Sequence, residues 1–175
     1  MSVGAALRAS AVVFAAAVIQ AGLFSSIVIR GGAPDVLLVV VISIGLLRGS
    51  VPGAVFGFAG GIIIDLSTLD TLGLTALILT LAGFWAGRYA ETTARGRRLP
   101  VLLAVGVMTI LASVFGLALH YMLGEDVVPE QALVTALLPT LVLNLVLALP
   151  IYALVRAVVG DRPGFESSGE VELVV

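Results

Sequence analysis

The chain has 175 residues, of which 60% are hydrophobic and only 11% are charged, and its formal net charge is −2. Soluble domains are typically about 45–50% apolar and about 25% charged, so a soluble core of this size could not hide so much apolar surface. The negative net charge argues against a general nucleic-acid-binding protein. Because the sequence contains no cysteine, disulfides and thiolate chemistry are excluded.

The apolar residues form continuous blocks, and this pattern predicts an all-α integral membrane protein with six transmembrane helices. In chain order, the predicted helices cover about 9–29, 34–47, 52–64, 72–87, 100–123 and 132–159. Pro34 and Pro52 open the second and third helices, where proline is favoured in the first turn. We expect residues 1–160 to form a single membrane domain and residues 161–175 to form a disordered, acidic cytoplasmic tail.

The second, third and fourth helices are short, with roughly 12–16 apolar residues each against the ~20 that a span requires. Either their terminal charges reach the interface, or the second and third helices form a re-entrant hairpin. Charge counting does not separate these alternatives. It does predict that both termini are cytoplasmic, because Arg30 is then the only arginine outside and eight arginines lie inside. The eight are Arg8, Arg48, Arg88, Arg95, Arg97, Arg98, Arg156 and Arg162.

Helix 3 carries the most specific internal pattern of the chain. Gly53, Gly57 and Gly61 recur at a spacing of four residues and form two overlapping GxxxG motifs. Residues at this spacing share one helix face, so another helix can approach to backbone contact. The pattern leaves open whether the neighbour is helix 2, a second copy of the chain in a homodimer, or a different protein. We favour packing within the chain.

The sequence shows no arrangement typical of an active site. His120 is the only histidine and has no carboxylate at ligand spacing, so we expect no catalysis, no metal and no cofactor. Asp65 ends helix 3 at the negative end of its dipole, so its carboxylate must cap the next segment, reach water or pair with a cation. Arg30 and Asp35 lie at the same predicted membrane face, which makes Arg30, Asp35 and Asp65 a candidate polar cluster.

Polar side chains within the predicted spans are few, and we expect them to form hydrogen bonds between helices. They are Gln20, Ser43, Thr75, Thr80, Thr109, Ser113, Thr135, Thr140 and Asn144.

Residues 33–89 resemble the MreD family, the rod-shape-determining membrane proteins of bacteria. The resemblance rests on the ordered motifs of "APDVLLVVVISIGLLRGSVPGAVFGFAGGIIIDLSTLDTLGLTALILTLAGFWAGRY". These motifs are Pro34-Asp35, Arg48-Gly49, Gly53, Gly57-Phe58, Gly60-Gly61, Asp65, Leu72-Gly73-Leu74 and Ala86-Gly87-Arg88. The remaining helices match only in type and length.

The resemblance implies a non-enzymatic scaffold of the cell-wall elongation machinery in the bacterial inner membrane. It implies that the protein binds MreC and membrane lipid, and that it is linked indirectly to RodA, its penicillin-binding transpeptidase and MreB. It further implies a fold like that of the substrate-binding subunits of energy-coupling-factor (ECF) transporters. The residues that it marks as structural or interaction positions are Asp35, Arg48, Gly53, Gly57, Gly61, Asp65 and Gly73. The alternative function is a substrate-binding subunit of an ECF-type small-molecule transporter, which would require a polar, aromatic-lined pocket that opens outward.

Overall fold

The computed structural model describes residues 2–22, 32–69, 71–92, 98–124 and 136–160. The elements in these ranges are all helices, which confirms the predicted all-α fold of a membrane protein. They are α1 (Val3–Gly22), α2 (Val36–Arg48), α3 (Ser50–Thr68), α4 (Leu74–Thr92), α5 (Arg98–Met122) and α6 (Leu137–Val159). Helices α1, α3, α5 and α6 are each long and apolar enough to cross a membrane. The predicted end of helix 1, the predicted start of helix 6, Arg30 and the acidic tail lie outside the described residues.

Helix α2 occupies the centre of the bundle. It packs against every other described helix, and those five contact one another in the cyclic order α1, α3, α4, α5, α6 and back to α1. The arrangement is therefore a ring of five helices around one central helix. Every residue of α2 from Leu37 to Arg48 is buried, which explains why its sequence is apolar on all sides.

The central helix is the short one. With 13 residues and a rise of 1.5 Å per residue, α2 is about 20 Å long, well below the ~30 Å of a hydrocarbon core. Helix α3 is longer than the sequence suggested, because it continues past Asp65 to Thr68 and reaches 19 residues. This length favours a spanning α3 over a re-entrant hairpin.

The glycine face of α3 packs against α4 of the same chain. A Cβ atom added at Gly53, Gly57 or Gly61 would overlap the backbone of α4, at Gly83, Leu79 and Ala76 respectively. On the opposite helix, a Cβ at Gly83 would overlap the carbonyl group of Gly53. The two backbones are therefore in direct contact, and we call this contact the glycine seam.

The central helix joins the glycine seam through a glycine of its own. A Cβ at Gly45 of α2 would lie 3.1 Å from the backbone nitrogen of Gly87. A Cβ at Gly53 would lie 3.0 Å from the Cα of Gly45. The backbones of α2, α3 and α4 thus meet at one corner of the bundle, where no side chain separates them.

The glycine seam predicts opposite effects for the same substitution at two helical glycines. We expect Gly57→Ala to lower the free energy of unfolding by about 1–3 kcal/mol, because the new methyl group overpacks the seam. Gly106→Ala is the matched control, since its Cβ would lie 3.7 Å from Leu145 Cδ2, an ordinary contact. That substitution removes a helix-disfavouring glycine and should be neutral or stabilising by up to about 1 kcal/mol. Thermal unfolding in detergent measures both, and equal unfolding temperatures for the two variants would contradict the seam.

Candidate functional site

The N-terminal end of α2 is held by side chains from three helices. The Asp35 carboxylate caps its own helix, because Oδ1 accepts a hydrogen bond from the Leu38 N–H at 2.9 Å. The N–H of Asp35 donates to Asn144 Oδ1 of α6 at 2.8 Å. From α1, Gln20 Oε1 accepts from the Val36 N–H at 2.9 Å. Side chains therefore accept hydrogen bonds from three backbone N–H groups at this helix start, those of Asp35, Val36 and Leu38.

The same cluster extends to α5, the ring neighbour of α6. Asn144 Nδ2 donates to Thr109 Oγ1 of α5 at 3.2 Å, and both side chains are fully buried. Gln20 Nε2 donates to the carbonyl oxygen of Pro34 at 3.1 Å. Sequence analysis anticipated interhelical hydrogen bonds from Gln20, Thr109 and Asn144. It did not show that all three meet at the start of α2, because they lie on three separate helices.

Arg48 holds the opposite end of α2. Its side chain is buried, and Nη2 donates to the carbonyl oxygen of Val159 at the end of α6. The last carbonyls of a helix lack partners within the helix, and a cation near them is favoured by the helix dipole. Among the described residues, Arg48 Nε has no hydrogen-bond partner. Arg48 thus ties the end of the central helix to the end of α6.

Glu91 holds the start of α3 from α4. Its Oε1 accepts hydrogen bonds from the Ser50 N–H at 3.0 Å and the Ser50 hydroxyl at 3.1 Å. Its Oε2 accepts from Arg88 Nη1 at 3.3 Å. The sequence pattern predicted an end of the fourth helix at residue 87, before Glu91, and Glu91 was not among the candidate residues. Glu91 and Ser50 are 41 residues apart, so no local spacing could have indicated the contact.

Asp65 caps the start of α4. Its carboxylate, which is 1% exposed, accepts hydrogen bonds from the N–H groups of Gly73 at 2.8 Å, Thr75 at 3.2 Å and Ala76 at 3.3 Å. Gly73 has φ +92°, a conformation that glycine adopts without steric cost. Although Asp65 lies near the unfavourable end of α3, its charge faces the favourable, positive end of α4. Of the three environments considered for Asp65, the structure shows the cap of the next segment.

The described residues include two of the three members of the candidate polar cluster. Arg30 lies outside them, and the hydrogen bonds of Asp35 and Asp65 go to different elements. The Asp35 carboxylate caps α2, whereas the Asp65 carboxylate caps α4. In the same part of the chain, no group of three or more histidine, aspartate or glutamate side chains could hold a metal ion.

An apolar groove lies on the outside of the ring, between α4 and α5. Its volume is about 180 Å³. Ala82 and Ala112 are the small residues of its lining. The larger lining side chains are Ile78, Leu81 and Trp85 on α4 and Met108, Leu111 and Phe115 on α5. Because every lining residue is apolar or aromatic, the groove can accept an apolar group and offers no hydrogen-bonding side chain of its own apart from the Trp85 indole N–H.

The Asp65 cap predicts a large stability loss when its carboxylate is removed. We expect Asp65→Ala to lower the free energy of unfolding by about 2–4 kcal/mol, since three backbone N–H groups lose a charged acceptor. Asp65→Asn, which keeps one acceptor oxygen, should lie between Asp65→Ala and the wild type. Ser67→Ala is the control, because the exposed Ser67 hydroxyl donates only to the Ile63 carbonyl, and its effect should stay within about 0.5 kcal/mol. Thermal unfolding in detergent tests this, and an Asp65→Ala variant as stable as Ser67→Ala would refute the cap.

The comparison with family models gives one match, which spans all of the described helices. The model of the MreD family, described as rod shape-determining protein MreD, matches residues 3–159. No curated protein and no solved structure matches the chain. The match begins with the first residue of α1 and ends with the last residue of α6, so it includes the central helix, the glycine seam and the Asp65 cap. The chain therefore belongs to the MreD family of rod shape-determining membrane proteins.

Proposed function

We propose that this protein is a non-enzymatic membrane scaffold of the cell-wall elongation machinery in the bacterial inner membrane, with both termini in the cytoplasm. In this proposal it binds the single membrane helix of MreC. Through MreC it helps to position the RodA glycosyltransferase and its penicillin-binding transpeptidase relative to MreB. Membership of the MreD family supports the broader role in rod-shape determination.

The filled centre of the described bundle is the observation that carries this proposal. A substrate-binding subunit of a transporter needs a cavity among its helices, lined by polar and aromatic groups. At the centre of this ring lies α2, whose side chains from Leu37 to Arg48 are buried against the surrounding helices. The polar groups at its two ends are bound to neighbouring helices. An interior of this kind supports a structural role over capture of a small molecule.

The outside of the ring is the surface available to a partner helix. Each ring helix exposes large apolar side chains, for example Phe14, Phe58, Leu81, Val107 and Val142 on α1, α3, α4, α5 and α6 respectively. In a membrane, such side chains contact lipid or another helix. Helix association there depends on close packing rather than on the hydrophobic effect. A partner with one helix therefore fits this exterior.

The absence of cysteine makes a direct test practical. Phe14, Phe58, Leu81, Val107 and Val142 are each replaced by cysteine, and each variant is co-expressed with MreC that carries one cysteine in its membrane helix. We expect MreC to co-purify in detergent and to form disulfide cross-links at one position or at two positions on neighbouring ring helices. A partner helix docked at one place cannot reach all five faces of the ring.

The control is an unrelated single-pass membrane protein with a cysteine at the same depth, expressed at the same level. Equal cross-linking at all five positions, or cross-linking equal to that of the control, would indicate random collision and would refute a specific dock. Recovery of the folded protein without MreC would refute the scaffold proposal itself.

A further inference from the structure

An exposed arginine, Arg88, lies near one end of the α4–α5 groove. Arg88 is three residues beyond Trp85 on α4, which is about 4.5 Å along the helix axis. Its side chain is 55% exposed, and its pair with Glu91 uses one of the five N–H donors of the guanidinium group. An exposed ion pair of this type is weak. Arg88 can therefore donate to a further anion without breaking a strong contact.

The sequence between the two helices is rich in arginine. Residues 88–98 contain four arginines and one acid, Glu91. Of these four arginines, Arg88 is the one whose side chain lies within the described residues.

We propose that the α4–α5 groove binds one acyl chain of an anionic glycerophospholipid and that Arg88 holds the phosphate of that lipid. Basic sites between membrane helices bind anionic headgroups through this combination of charge and apolar surface. The size of the groove argues against a docked helix as its occupant. A helix with its side chains is 10–12 Å wide, whereas a cavity of about 180 Å³ accommodates part of one hydrocarbon chain.

The length of the groove agrees with a lipid bound in this way. On α4, the lining residue farthest from Arg88 is Ile78. Ten residues separate the two, which corresponds to about 15 Å of helix. Half of a ~30 Å hydrocarbon core is also about 15 Å. A phospholipid with its phosphate at Arg88 therefore extends its chain along the groove to about the middle of the membrane. This inference goes beyond the scaffold proposal and does not depend on it.

Native mass spectrometry of the full-length protein alone tests the proposal. The protein is titrated with phosphatidylglycerol and with phosphatidylcholine of identical acyl chains, and separately with glycerol phosphate, which has the headgroup charge but no chain. We expect tight retention of phosphatidylglycerol only. Arg88→Gln should weaken it about fivefold, and Ala112→Leu, which fills the groove, should weaken it at least as much.

Matched controls separate this site from general lipid contact. Arg8→Gln removes an exposed arginine of α1, and Val107→Leu enlarges an exposed residue of α5 that does not line the groove. Both should retain phosphatidylglycerol like the wild type. Equal retention of the two lipids, or equal losses in Arg88→Gln and Arg8→Gln, would overturn the proposal. So would binding of glycerol phosphate as tight as that of the lipid, or retention of phosphatidylglycerol by Ala112→Leu that equals retention by the wild type.

Discussion

The enclosure of a helix too short to cross the membrane is the constraint on which the rest of this structure depends. With a length of about 20 Å, α2 cannot place both of its ends in water across a ~30 Å hydrocarbon core. Backbone groups at membrane depth are tolerated only where protein binds them. The ring of five helices supplies that binding at the start of α2, where Gln20 and Asn144 accept hydrogen bonds from backbone N–H groups. At the other end, the Arg48 side chain donates to the Val159 carbonyl oxygen at the end of α6.

Enclosure also explains why the glycines concentrate where they do. Five helices close around a sixth only if some of them approach closely, and the backbones of α2, α3 and α4 are in direct contact at one corner. Gly45, Gly53 and Gly83 meet at this corner with no side chain between the backbones. Asp65 and Glu91 then accept hydrogen bonds from backbone N–H groups at the starts of α4 and α3, one near each end of the α3–α4 pair. The glycine seam and the two carboxylates therefore act together to hold α3 against α4.

Sequence analysis could predict features that depend on local pattern. Blocks of apolar residues predicted the membrane fold and its helices, and the spacing of Gly53, Gly57 and Gly61 predicted a close helix contact. It could not predict which helix would be the neighbour, because one glycine face fits many partners. A carboxylate at the end of an apolar run also predicted the end of helix 3 near Asp65. The helix continues past this residue to Thr68, because N–H groups at the start of the next helix bind the carboxylate. The role of Glu91 depends on a contact between residues far apart in the chain, which no local pattern encodes.

Because the interior of the ring is filled, the proposed partner and lipid are assigned to its outer surface. An ECF-like substrate pocket would compete with α2 for the centre, and because no solved structure matches the chain, the likeness to ECF subunits stays a prediction. The exterior is not uniform. The face between α4 and α5 has an apolar groove with Arg88 near one end. Helices α1, α3 and α6 expose apolar side chains such as Phe14, Phe58 and Val142. In the two proposals, lipid occupies the α4–α5 face and leaves the other helices free to contact a partner helix. The lipid and the protein partner then bind to separate surfaces, and neither requires a change in the packing of the centre.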